Sequence, residues 1–210
     1  MKKIAVFVSG GGSNFMAIHH QIKQGKIPGE IVLVISNNPN CGAIQFAEEN
    51  SIPVLIINET RYSDPHTLNE LLTDTCLKAE INLICLAGYM KMLPPAFVKQ
   101  YENKILNIHP GLLPEFGGKG FFGMRVHEAV INSGKRESGA TVHFVDEIYD
   151  HGPIILQKKV EVLETDTAES LAARILKLEH ELFPEVVKAF CENKIIMENN
   201  TPKILAYNEN

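Results

Sequence analysis

Apolar residues fall in short runs at 4–8, 31–35, 54–57, 81–87 and 104–109, unbroken in the first three and interrupted by Asn82 in the fourth and by Lys104, Asn107 and His109 in the fifth, separated by longer mixed stretches. A continuous apolar run of strand length marks a strand covered on both faces. The stretches between them read as helices at 15–24 and 41–49, the first closed by Gly25. Asp64 before Pro65 offers an N-cap and a first helical residue for a helix reaching about residue 80. Pro94-Pro95 opens a shorter helix. Strands and helices alternating at these lengths predict βαβ units and a parallel sheet.

Beyond residue 110 the pattern changes. Residues 111–123 hold five glycines and are too long for a simple connector, which marks a functional or mobile loop. Residues 125–133 read as a helix. Two strands, 140–145 and 154–162, flank an acidic turn at 146–153 and predict an antiparallel extension of the sheet. Asp166, with Glu169 three residues on, predicts a capped start for a long helix to about Cys191, which Pro184 should kink or interrupt. The tail from Glu192 reads as polar and partly ordered. With no repeat or linker, one domain over 1–210 is expected. The expected fold is α/β, a Rossmann-like, mostly parallel sheet flanked by helices with an antiparallel C-terminal extension.

At 210 residues and 45% hydrophobic content the chain can bury a large core. A net charge of −5 without a basic run argues against nucleic acid as a partner. The four cysteines are widely spaced, with no CxxC, and read as reduced thiols in a cytoplasmic protein. The opening apolar run stops too soon for a signal peptide, and no stretch has the length of a membrane span.

Three constellations could carry chemistry. Ser9-Gly10-Gly11-Gly12-Ser13-Asn14 lies between the first strand and helix, where glycines let backbone N–H groups approach an anion and the helix dipole favours it. No Gly-Lys-Ser/Thr follows, and Phe15 stands where a dinucleotide fingerprint needs its third glycine, so a small phosphate cradle remains. The second is Asn107-Ile108-His109-Pro110, where proline ends the strand and leaves His109 at its last position. Ligands of open α/β sheets bind at such carboxyl ends. The third is the turn Asp146-Glu147-Ile148-Tyr149-Asp150-His151. Any of its three acids could raise the pKa of an imidazole, and His151 competes with His109 for that role. Glu179-His180 reads as a surface pair, and His143 shows no partner pattern. An anion cradle with amide, imidazole and carboxylate at one sheet edge suits group transfer through an oxyanion-bearing intermediate.

With these residues in view, the chain resembles the folate-dependent phosphoribosylglycinamide formyltransferases over nearly its whole length. The matching segments are Ser9–Asn14, Leu86-Ala-Gly-Tyr-Met-Lys-Met-Leu93, Leu106-Asn-Ile-His-Pro-Gly-Leu-Leu-Pro114, and the run from Gly139 to Pro153. The last three recur across formyltetrahydrofolate-using enzymes, and the first specifies the glycinamide ribonucleotide branch. The resemblance implies a catalytic trio of Asn107, His109 and Asp150, with phosphate held by Gly12, Ser13 and Asn14. It also turns Glu179 into a ribose contact. Met90, Lys91, Met92, Leu93, Asn107 and the backbone of Asp146, Glu147, Ile148, Tyr149 and Asp150 are implied as the folate pocket. The resemblance thus implies a phosphate-binding half over 1–109 and a folate-binding and catalytic half over 110–210. Gly11, Lys91 and Gly111 depart from the commonest residues, and the loop from Glu115 to Arg125 lacks the histidines that some members place near the phosphate, with Lys119 as a substitute charge.

The implied reaction is direct attack of the amine of glycinamide ribonucleotide on the formyl carbon of 10-formyltetrahydrofolate. His109, kept protonated by Asp150, and Asn107 would stabilise the oxyanion, and no metal is expected. The alternatives are a formyltetrahydrofolate hydrolase and a non-catalytic phosphate-binding module; formylation of initiator tRNA is disfavoured by the acidic balance. The resemblance leaves monomer and homodimer open.

Overall fold

The computed structural model describes residues 1–57 and 62–206. The elements run β1 (Lys2–Val8), α1 (Ser13–Lys23), β2 (Gly29–Ser36), α2 (Gly42–Glu49), β3 (Val54–Ile56), α3 (Pro65–Lys78), β4 (Leu83–Leu86), α4 (Pro95–Gln100), β5 (Ile105–His109), α5 (Met124–Ser133), β6 (Glu137–Phe144), β7 (Ile154–Glu161), α6 (Ala168–Cys191), β8 (Ile195–Glu198) and β9 (Thr201–Ile204). A seven-stranded sheet has the order β3-β2-β1-β4-β5-β6-β7. The pairings from β3 to β5 are parallel, and β6 and β7 join antiparallel, as the sequence pattern predicts.

Alternate residues of β1 feed two cores. Ile4, Val6 and Val8 pack with α1, α2, α5 and α6, while Ala5 and Phe7 pack with α3 and α4. Both faces are therefore covered, which explains the unbroken apolar runs. Each large side chain fully buried there is worth about 1.5–3 kcal/mol.

The order also creates the site. The chain winds outward from β1 to β3, then returns to lay β4 on the other side of β1. That reversal is a topological switch point, where the loops leaving β1 and β4 diverge and open a crevice.

Three expectations need correcting. Helix α6 is capped by Thr167, whose side chain accepts from Ser170 N while Ser170 returns a bond to the Thr167 N–H. Asp166 instead accepts from Leu163 N at 2.8 Å and pairs with Arg174. Pro184 does not interrupt α6, because Leu182, Phe183, Val186 and Val187 are fully buried around it and their packing offsets the lost backbone bond. The tail is a hairpin, β8 with β9, turning on Asn199 and Asn200, both at positive φ. Asparagine tolerates that geometry, and two such residues in succession make the tight turn favoured in hairpins. Its last four residues lie outside the described ones. No helix among the described residues is long and apolar enough to cross a membrane.

Candidate active site

A cleft of about 770 Å³ opens at the carboxyl ends of β1, β4 and β5. The β1–α1 turn forms one wall, residues 86–93 after β4 another, and Asn107 and His109 the floor. Asp146, Ile148, Tyr149 and Asp150 close it from the β6–β7 turn, and Glu179 reaches in from α6. Ser9 ties two walls together, donating to Asn37 Oδ1 at 2.6 Å and accepting from Met90 N at 2.9 Å.

The glycine-rich turn has the form of an anion cradle. Gly12 takes φ 77° and starts α1 with no side-chain cap, leaving the first N–H groups of that helix without the usual partner. A Cβ at Gly12 would lie 2.6 Å from Ala43 Cβ, so close packing on α2 also requires glycine. Asn14 Nδ2 donates to Glu179 Oε2 at 2.6 Å. Glu179 is 8% exposed, and burial pushes its carboxyl up to about 7, a rise that the Asn14 bond only partly opposes. This is no surface residue. Beside it, Asn14 Oδ1 is buried without a partner.

At the floor, β5 presents Asn107 and His109 on one face because side chains two apart in a strand share a face. His109 is 3% exposed. Its Nε2–H donates to the Phe116 carbonyl at 2.6 Å, and its Nδ1 lies 3.5 Å from Asp150 Oδ2. Asp150 sits at φ 53°, a left-handed conformation that aspartate tolerates, and its Oδ2 also accepts from Gly118 N at 3.0 Å. Burial alone would raise the Asp150 carboxyl, but its contacts with His143 and His109, whose attraction acts through their protonated forms, and with the Gly118 N–H outweigh it and hold it below the usual range. His109 departs from expectation: burial pushes its imidazole down, and Asp150 and the Phe116 carbonyl oppose this without overcoming it. The ring therefore starts neutral at pH 7. In the same loop Asp146 pairs with His151 at 2.6 Å, an exposed couple that leaves Asp150 as the acid facing His109.

The matched family model, described as formyl transferase, covers residues 2–187. The chain belongs to the formyl transferase family. A curated relative named chloroplastic phosphoribosylglycinamide formyltransferase, from Vigna unguiculata, is 48% identical over all of this chain and 67% of its own length. The phosphoribosylglycinamide formyltransferase of Bacillus subtilis is 39% identical over 90% of this chain and 94% of its own. Among solved structures, glycinamide ribonucleotide transformylase 1 from Symbiobacterium toebii superposes with a TM-score of 0.91 at 35% identity, covering 98% of this chain and 95% of that one.

In this formyl transferase the cleft gathers nearly all the residues singled out from sequence: Gly12, Ser13, Asn14, Met90 to Leu93, Asn107, His109, Asp146, Ile148, Tyr149, Asp150 and Glu179. Glu147 is exposed and does not line it. Sequence reasoning missed His143, which is 2% exposed and opposite Asn107 in the β5–β6 register. Its Nδ1–H donates to the Phe144 carbonyl at 2.7 Å, so in the neutral ring Nε2 accepts from Asn107 Nδ2 at 3.1 Å. The other Asn107 hydrogen makes a long 3.4 Å contact with Asp150 Oδ1. Only the antiparallel pairing reveals this; no spacing along the chain does. Lys119 and His127 also line the cleft, and His127 Nδ1 is buried without a partner. Among the described residues no group of three or more His, Cys, Asp or Glu could hold a metal ion.

Proposed function

We propose that this formyl transferase moves the formyl group of 10-formyltetrahydrofolate onto the amine of N1-(5-phosphoribosyl)glycinamide (glycinamide ribonucleotide) in purine biosynthesis. The observation that carries this reading is the buried His109–Asp150 pair, with Asn107 beside it, sharing one cleft with an uncapped helix start suited to phosphate. The relatives' names supply the formyl acceptor, and the family resemblance supplies the folate donor. Gly12, Ser13 and Asn14 would take the phosphate and Glu179 the ribose. Met90, Lys91, Met92, Leu93 and the backbone of residues 146–150 would take the folate, Glu147 through its main chain alone. Exposed Met90, Met92, Ile148 and Tyr149 at the cleft support this, because apolar surface gathered at a crevice marks a ligand site. All these groups come from one chain, and the 1–109 and 110–210 halves would act as one unit. Four buried free cysteines suit a reducing compartment, the cytoplasm in our reading.

The amine nitrogen forms a bond to the formyl carbon, and the carbonyl electrons move onto oxygen. Asn107 Oδ1, with no partner among the described residues, accepts an amine hydrogen and aims the nucleophile. His109, neutral with its proton on Nε2, takes the amine proton at Nδ1 and becomes an imidazolium beside Asp150. That Nδ1–H and the weakly held Asn107 hydrogen then face the oxyanion. Collapse breaks the bond from carbon to folate N10, which receives the proton. Asp150 stabilises the transient cation and, with water, passes protons.

The test is to incubate purified protein with both substrates and follow formylated product by mass spectrometry. A parallel reaction omits the amine. Product that requires both substrates supports the transferase; formate released without the amine would instead mean a hydrolase. Neither product, with phosphate-ester binding retained, would leave a non-catalytic module.

A further inference from the structure

His109, Thr141 and Gln157 form a row across three strands: His109 opposes Thr141 in the β5–β6 pairing, and Thr141 opposes Gln157 in the β6–β7 pairing. Directly opposed residues share a face, so the row extends from the cleft floor to the sheet's last strand. Neither Thr141 nor Gln157 lines the cleft. Thr141 Oγ1 donates to the Gly111 carbonyl at 2.7 Å and accepts from Leu113 N at 3.3 Å and Gln157 Nε2 at 2.8 Å. The second Nε2 hydrogen of Gln157 goes to the Leu113 carbonyl at 3.1 Å. The hydroxyl and the amide nitrogen are thus fully used. Together they grip the chain at Gly111 and Leu113, just after His109, and a Leu112 carbonyl bond from Phe116 N at 3.1 Å continues the turn.

This grip reaches back to the imidazole. The held segment returns the Phe116 carbonyl to His109 Nε2 and the Gly118 N–H to Asp150. A carbonyl only accepts, so it keeps the ring proton on Nε2 and leaves Nδ1 as the basic atom facing Asp150. If the segment relaxed, the neutral ring could move its proton to Nδ1 and donate to the carboxylate, a charge-assisted bond. A ring in that tautomer cannot take a proton at Nδ1.

We propose that Thr141 and Gln157 are positioning residues whose clamp on residues 111–116 sets the tautomer of His109. The kinetic consequence rests on the formyl-transfer reading; the tautomer itself does not. The experiment compares the full-length parent with Gln157→Leu, Thr141→Val and Thr141→Ser. Each is assayed for kcat and both KM values, and the His109 ring nitrogens are observed by 15N NMR at pH 8, assigned against His109→Ala. Gln157→Leu should lower kcat by about 10- to 100-fold, the scale for misplacing a reacting group by about an ångström, with both KM values kept. It should also shift His109 from Nε2–H towards Nδ1–H. Thr141→Val should do the same and Thr141→Ser should restore both, a pair that still decides the matter if Gln157→Leu does not fold. An unmoved tautomer, or a kcat within twofold of the parent in the folded variants, overturns the clamp. A parent that transfers no formyl group would sink the functional reading while the NMR comparison still judged the clamp.

Discussion

Replacing Glu179 by glutamine removes a buried ionisation while keeping an oxygen for the Asn14 Nδ2 bond. The carboxyl stands at about 7 in the folded protein against an ordinary 4.5, because burial disfavours its charged form. A carboxyl raised on folding favours the native state below 4.5, where both states are protonated, and loses that advantage as pH climbs through about 7. At about 1.4 kcal/mol per pH unit, the charged side chain costs the native state about 3 kcal/mol by pH 8. Glu179→Gln should therefore be more stable than the parent by about 2–3 kcal/mol at pH 8, or about 5–10 °C in Tm for a chain of this size. The advantage should shrink steadily between pH 7 and pH 5. Urea unfolding of both proteins at pH 5, 6, 7 and 8 measures the difference directly. A difference that stays constant across that range would refute the reasoning, since only a shifted ionisation makes it pH-dependent. Such a gain in stability alongside weaker substrate binding would show a site that holds a strained charge for its ligand.

Three further outcomes are expected. Losing one oxyanion donor costs about 3–4 kcal/mol of barrier, so His109→Ala and Asp150→Asn should each lower kcat by two orders of magnitude or more with unfolding curves like the parent's; near-parental turnover would remove them from the mechanism. His109 should titrate below the ordinary imidazole value by NMR, giving kcat/KM an acid limb below about 6.5, and Asp150→Asn should move that titration lower still by deleting an attractive charge; an upward move would contradict the stated balance. Gly139→Ala should destabilise by about 2–4 kcal/mol, because its Cβ would lie 2.0 Å from the Lys158 carbonyl and 2.6 Å from Leu112 Cδ2, and a urea midpoint equal to the parent's would show that β6 can shift at no cost.

The linear chain already held whatever depends on neighbours in sequence. Apolar runs identified the strands of the parallel half, and proline after His109 located that residue at a strand end. Asp64-Pro65 started α3 as its chemistry requires, with the Asp64 carboxylate accepting from Thr67 N. Glycines after β1 marked a turn open to an anion, although α1 starts at Ser13, two residues before the pattern placed it. Such features follow from backbone sterics and local hydrogen bonding, which act over a few residues.

What the chain alone could not decide was every relation set by register and burial. Three acids in one turn were equivalent as partners for an imidazole until the loop folded Asp150 over His109 and left Asp146 with His151. His143 gained its part only when antiparallel pairing set it opposite Asn107. Glu179 changed from a surface acid to a buried one because α6 packs against α1 and turns it towards Asn14. Even the sign at His109 reversed: a nearby carboxylate argues for a raised pKa, but enclosure outweighs it. Desolvation depends on everything that surrounds a group in three dimensions, and no spacing along a sequence contains that sum.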